Sequence, residues 1–299
     1  MQVTAMNIIS LLAYLIIGPL LGGLLAGIDR KITARMQGRF GPPILQPFYD
    51  VFKLFEKEPV TVNRGQDFYV MSFLVFIIIT GGLIFSGENL LLAIFTLTTA
   101  GAFLVVAAYS SNSAYSQVGG ERELLQMMAY EPMVLIAAIG LYMVKRSFFV
   151  SAMVAGGRIP ILYTIGIFIG FVFILTIKFR KSPFDLAFSH HAHQELVAGL
   201  KTEFSGRTLA AIEVAHWYEN IFLLGIVFLF FANGTWYMAL IGVVVALGLY
   251  FIEILIDNVY ARMKWLFTLK ASWLVTIVFG GVNLMVLYYL YLAFWQMQG

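Results

Sequence analysis

Apolar residues run along this chain in long stretches separated by shorter polar ones. Eight stretches predict membrane-spanning helices, at roughly 7–27, 68–86, 89–109, 124–144, 160–178, 215–233, 236–256 and 272–295. Each comes close to the ~20 residues that a helix needs to cross about 30 Å of hydrocarbon. The first has no basic segment before it and ends at Asp29-Arg30-Lys31 without a small-residue cleavage site. It reads as a retained span rather than a removed signal peptide. The sixth starts raggedly, because Glu213, His216 and Glu219 interrupt its apolar pattern. Between the first two spans, Gln46 to Phe55 sets Phe48, Val51, Phe52 and Phe55 on one helical face. That segment is too short to span and predicts an amphipathic helix at the interface, as a surface anchor or as a floor for a docked partner. The predicted fold class is an all-α integral membrane protein, one polytopic domain over 1–299, with about eight transmembrane helices and an interfacial helix in the first cytoplasmic loop.

Composition agrees with that class. Apolar residues make up 61% of the 299 and charged residues 12%, against about 45–50% and about 25% in soluble domains. Too little polar surface remains to cover a water-soluble globule. Cysteine is absent, which excludes disulfides, thiolate-held metal, iron–sulfur ligands and a cysteine nucleophile in this chain. Lys and Arg form no dense basic tract, so nothing predicts a nucleic-acid partner. Counting loops alternately, 28–67, 110–123, 179–214 and 257–271, with Lys178 at the mouth of span five, hold 16 of the 19 basic residues. The positive-inside rule then predicts these four loops in the cytoplasm and both termini outside. Gly22-Gly23, Gly81-Gly82 and Gly280-Gly281 fall inside apolar spans and predict close helix packing.

The candidate chemistry lies in ionisable residues within apolar segments, which cost at least about 2.5–3.5 kcal/mol to insert and usually face a polar interior. Glu131 precedes Pro132, which removes a backbone donor and opens the helix locally. Glu253 and Asp257, four apart near the end of span seven, point to one face, where like charges raise each other's pKa and suit proton hopping. The plainer reading is a buried structural hydrogen bond for Glu131 and Glu253, and a solvated helix end for Asp257. All four histidines, His190, His191, His193 and His216, cluster in the third cytoplasmic loop and span six with Glu195, Glu203, Glu213 and Glu219. Glu213, His216 and Glu219 step by three along one stripe, a plausible proton relay. Adjacent histidines without a second fixed pair are a weak zinc signal, and no metal site is assigned. The chain has no nucleophile elbow, phosphate loop or dinucleotide fingerprint, so catalysis by this chain alone is not expected.

Three segments carry a family resemblance. Asp29 to Pro43 (DRKITARMQGRFGPP), continuing through Leu45-Gln46-Pro47 to Lys57-Glu58, is similar to the first loop of the complex I membrane subunit at the arm junction, NADH dehydrogenase subunit 1. Ser110 to Glu131 (SSNSAYSQVGGERELLQMMAYE) resembles its second loop and fourth span. Ser182 to Leu186 (SPFDL), with Asp185, then Glu195 to Gly199 (ELVAG) and Glu203 to Gly206 (EFSG), resembles its third. That family's eight-helix topology agrees with the charge count. Of its usual run of carboxylates only Glu195 remains, with His191 and His193 where acids are expected, and His216 stands where a glutamate is common. The Ser-His-His-Ala-His-Gln-Glu version resembles the homologous subunit of energy-converting, group 4 [NiFe] hydrogenases of the Ech and CO-induced types.

The resemblance implies a subunit without redox centres in a multisubunit ion-translocating oxidoreductase of a prokaryotic plasma membrane. The [NiFe] centre and iron–sulfur clusters would lie in partners: hydrogenase large and small subunits and a ferredoxin-like iron–sulfur subunit. An antiporter-like membrane subunit and membrane lipid would flank it. Glu131, Glu195, Glu203, Glu213, Glu219, Glu253, Asp185 and Asp257 would carry protons, with His191, His193 and His216 as relays. Arg35, Arg39 and Asp50 would face the partner, and Gln37, Arg39, Gly41 and Pro42 keep the pattern of the family's quinone-chamber loop. The alternatives are a quinone-site subunit of a complex I-like dehydrogenase and a stand-alone ion transporter. The orientation is directly testable: a reactive tag at Arg64 is expected to label only from the cytoplasmic side, and labelling from outside would reverse the topology.

Overall fold

In hydrocarbon each backbone N–H and C=O must be satisfied within its own segment, so apolar runs of this length have the helix as their open-chain solution. A computed structural model of the chain describes residues 5–58, 63–181, 183–184, 196 and 198–292. Its helices are α1 (Ala5–Met36), α2 (Gln46–Glu56), α3 (Arg64–Phe85), α4 (Leu90–Tyr109), α5 (Ala114–Lys145), α6 (Val150–Ala155), α7 (Ile165–Lys178), α8 (Gly206–Leu229), α9 (Trp236–Val259), α10 (Trp265–Val275) and α11 (Val282–Leu290). A π-helical segment, Thr276–Gly281, joins α10 to α11 into one span. Among the described residues there is no strand, only isolated bridges at Asn89–Phe149 and Phe184–Met263.

Among the described residues, seven helices are long and apolar enough to cross a membrane. The fifth expected span differs. α7 has 14 residues, about 21 Å of helix, because Pro160 starts a separate 3-10 turn, Pro160–Leu162. Asn283 closes the gap: its Oδ1 accepts from Ile167 N at 3.0 Å and its Nδ2 donates to Tyr163 O at 3.1 Å. Other boundaries also move. α1 runs on to Met36, α5 starts at Ala114 and α8 at Gly206, not 215. The expected loops are thus partly helical, and Glu213, His216 and Glu219 all lie inside α8.

Connections gather at two ends of the bundle. At one end Met263 N donates to Pro183 O (2.6 Å), Asn63 Nδ2 to Ser110 O (3.5 Å), and Arg30 pairs with Asp50. At the other, Leu90 N bonds Phe148 O, Val150 N bonds Glu88 O, and Ile161 N bonds Phe230 O. The described parts of the four basic-rich connections share the first end.

α5 and α8 are the most enclosed spans, whereas the span formed by α10 and α11 turns most of its apolar surface outward. α8 packs on α1, α2, α3 and α9. Glycines set the approach of α1. A Cβ on Gly22 would stand 2.4 Å from Trp217 O, and one on Gly23 2.5 Å from the Phe48 ring. α2 rests there with Phe48 against Trp217 (centroids 5.1 Å) and Val51 buried. Phe52 and Phe55, expected on that same face, are exposed instead, with Tyr49. The inner stripe is Pro47, Phe48, Val51 and Leu54, because α8 approaches from that side.

Gly22→Leu should force α1 from α8 and cost about 1–3 kcal/mol through overpacking. A lower thermal midpoint in detergent would show it, with Gly248→Leu, where a Cβ meets nothing within 4 Å, as the unaffected control.

Candidate functional site: a buried line of charged residues

α7 ends by turning, and the turn governs the site. Lys181 N donates to Thr176 O (2.9 Å) and Arg180 N to Ile177 O (3.0 Å), the paired bonds of a Schellman C-cap. The residue that takes the left-handed conformation, usually glycine there, is Arg180, with φ of 58°. That conformation costs a residue with a side chain roughly 1 kcal/mol. It also sends successive side chains of Thr176–Lys181 to different neighbours.

Toward α8, Lys178 Nζ lies 3.0 Å from Glu219 Oε1 and Arg180 3.6 Å from Glu219 Oε2. His216 Nδ1 is 3.4 Å from the same carboxylate, and its ring meets Phe73 of α3 edge-on. Lys178 also sits over the Tyr130 ring, 4.0 Å from its centroid. Glu123 of α5, buried, lies in the field of Arg180, Lys178, Glu219 and Lys201. Lys201, on the single 3-10 turn Gly199–Lys201, pairs with Glu213 at 2.6 Å. Burial pushes the Lys201 ammonium below its usual range against the pull of Glu213. The turn is held close, since a Cβ on Gly119 would stand 2.4 Å from Leu200 N.

Toward α1 and α9, Thr176 Oγ1 donates to Glu253 Oε1 at 3.2 Å, and Glu253 is 1% exposed. Lys181 bonds Asp29 and lies 3.7 Å from Asp257. Asp257 therefore has a buried cation beside it rather than a purely solvated helix end. From Asp29 a polar chain leads outward: Thr33 donates to Asp29, Asn258 to Thr33, Gln37 to Asn258 at 3.3 Å, and Arg39 to Gln37 at 2.6 Å. Gln37 and Arg39 are thereby connected to the buried ions. Gly41 has φ of +71°, and a Cβ there would stand 2.6 Å from Ala34 Cβ, so its glycine serves the turn itself. Arg35 stacks over Phe40. Asp50 accepts from Arg30 and Gln46. Although partial burial pulls the other way, those two bonds hold the Asp50 carboxyl below its usual range.

The structure thus brings Glu213, His216 and Glu219 into one cluster and Glu253 and Asp257 into another. Glu131 lies apart on α5, beside Thr98 and within the field of Lys178. Glu203 is half-buried just beyond the Gly199–Lys201 turn. Asp185, His190, His191, His193 and Glu195 fall outside the described residues. Sequence reasoning missed the cations and their bridges: Thr176, Lys178, Arg180, Lys181, Lys201, Glu123 and Asp29. Their one signal was basic residues directly continuing an apolar run.

Chemically, the two clusters set carboxylates beside lysines and an arginine, an arrangement that can hold and exchange protons. Lys181 has two acidic neighbours, so Asp29→Asn or Asp257→Asn alone should cost only about 1 kcal/mol. The double variant strands a buried cation and should cost about 3–5 kcal/mol. Thermal midpoints of the three variants would show whether the effect exceeds the sum.

Comparison with known proteins places this geometry. The family model described as NADH dehydrogenase matches residues 8–288. The chain is 28% identical over 294 residues to the H subunit of an NADH-quinone oxidoreductase from Syntrophotalea carbinolica, covering 86% of this chain and 88% of the relative. It is 31% identical over 218 residues to hydrogenase-4 component C of Escherichia coli, covering 68% of each. Its fold is similar to that of a chain in the membrane-bound sulfane sulfur reductase, an archaeal respiratory membrane complex, with a TM-score of 0.79 at 21% identity over 94% of this chain and 99% of that one.

Proposed function

This chain belongs to the NADH dehydrogenase subunit 1 family, and from that premise we propose that it anchors and couples a ferredoxin-linked energy-converting [NiFe] hydrogenase-type complex. The observation that carries the coupling role is the set of enclosed ion pairs, Lys181 with Asp29 and Asp257, Lys201 with Glu213 and Lys178 with Glu219, beside the buried Thr176–Glu253 bond and reached from the surface by the hydrogen-bonded chain from Arg39 through Gln37, Asn258 and Thr33. A purely structural core would be cheaper if it were apolar, because buried pairs rarely repay their desolvation in stability. Their retention fits a path in which charge must move.

In this reading partner subunits dock on the basic-rich end, which faces the cytoplasm of a prokaryotic plasma membrane. Arg35, Arg39 and Asp50 face those partners. Redox chemistry there, at a [NiFe] centre and iron–sulfur clusters held by the hydrogenase large and small subunits and a ferredoxin-like subunit, displaces the loops. The displacement perturbs Lys181 and Lys201, which shifts proton occupancy along Glu213, His216, Glu219, Glu131 and Glu253. The third loop, with Asp185, His191, His193 and Glu195, is assigned to the same relay from its sequence. Protons leave through an antiporter-like partner or through this chain. The likeness to hydrogenase-4 component C supports the hydrogenase branch. A second reading, quinone reduction, is favoured by the likeness to quinone-oxidoreductase subunits and by the Gln37–Arg39 loop.

The intact complex decides between them. Hydrogen evolution from reduced ferredoxin is expected, and quinone reduction without hydrogenase activity overturns the first reading. In Glu213→Gln and Glu253→Gln, which keep hydrogen bonding but remove titration, dye-linked turnover should persist while ion translocation collapses.

A further inference from the structure

One cation acts on three acids, two of them buried and the third half-buried. Lys178, at the end of α7, pairs with Glu219 of α8 and lies in the field of both Glu123 and Glu131 of α5. Its ammonium rests over the ring of Tyr130, the residue before Glu131. Glu131 turns toward Thr98 of α4, yet its Oε1 is buried without a hydrogen-bond partner. A buried acceptor left without a donor is destabilising, so that oxygen is a ready seat for an N–H. The lysine stem is flexible and its three donors rotate freely, unlike an arginine fork. Pro132, directly after Glu131, removes a backbone donor and loosens α5 at that point. Glu219 keeps Arg180 and His216 beside it, which hold the carboxylate in place when the ammonium is elsewhere.

We infer that Lys178 is a travelling counter-ion whose ammonium exchanges between Glu219 and Glu131 across the face of Tyr130. The inference rests on the proton-path reading above and names the moving part within it. The ammonium keeps its three protons throughout. With Lys178 on Glu219, Glu219 is ionised and Glu131 is protonated. When the ammonium moves to Glu131, that acid releases its proton toward the far side, and Glu219, now without its nearest cation, takes one from the Glu213 side. When the ammonium returns, the proton on Glu219 passes to Glu131. One proton crosses per cycle, and the starting state is restored.

The test is redox-difference infrared spectroscopy on the intact complex, with the carboxylic acid band of Glu131 assigned by its loss in Glu131→Gln. In the wild-type complex the band is expected to lose intensity during turnover. In Lys178→Met, which keeps an apolar stem, the band should stay constant, and translocation should be lost while dye-linked turnover continues. A static counter-ion predicts an unchanged Glu131 band in the wild-type complex. That result overturns the inference whether or not the lysine variant assembles, and so does translocation at the wild-type rate in Lys178→Met. The two levels separate cleanly. Translocation that persists in Glu213→Gln and Glu253→Gln removes the proton path itself. Translocation that needs those acids while the Glu131 band ignores turnover removes only the lysine exchange.

Discussion

A charge enclosed among apolar helices must bring its counter-charge with it. In this protein that requirement is met by six consecutive residues, Thr176 to Lys181, at the end of α7. Acids arrive from α1, α5, α8 and α9, and the cations that balance them come mostly from this one stretch. Removing an opposing charge from such a pair leaves a desolvated ion, which is far more damaging than losing a surface contact. The contrast with Arg30–Asp50, both half-exposed, is one of kind: that pair sits in water and trims the position of α2.

The device that makes one stretch serve two clusters is a backbone choice. A helix that simply continued past Lys178 would point Arg180 and Lys181 along its own stripe. The left-handed Arg180 breaks the register, so Lys178 and Arg180 meet Glu219 while Lys181 turns to Asp29 and Asp257. Strain at such positions is characteristic of sites where geometry is used rather than merely tolerated. The same turn lets the outer chain from Arg39 through Gln37, Asn258, Thr33 and Asp29 end on Lys181, next in sequence to the arginine that meets the α8 cluster.

Much of the scaffold was legible because apolar run length and the placement of Lys and Arg are coarse quantities that each residue reports independently. The acids were legible for a similar reason, since Glu131, Glu219 and Glu253 are conspicuous in apolar surroundings. Their partners were not. Lys178, Lys181 and Lys201 looked like loop charges, because nothing local shows that α7 closes with a left-handed Arg180 or that the Gly199–Lys201 turn folds down onto Gly119. Both are tertiary facts: the turn at Arg180 meets acids from three other helices, and the 3-10 turn meets a glycine on α5. The aromatic face of α2 was misassigned in the same way: periodicity locates an apolar stripe, while the approach of α8 decides which half of it is covered.

The amide of Asn283 also imposes an order of events on biosynthesis. It is the side chain that binds Ile167 N and Tyr163 O at the start of α7, yet it is made more than a hundred residues later. Until the last apolar segment leaves the ribosome, the fifth is a short insert with two backbone groups lacking that partner in a medium that offers few others. The polar closure at the start of α7 waits for the final span. A nascent chain stalled before residue 283 would hold seven of its apolar segments in the membrane with Ile167 N and Tyr163 O still short of that partner.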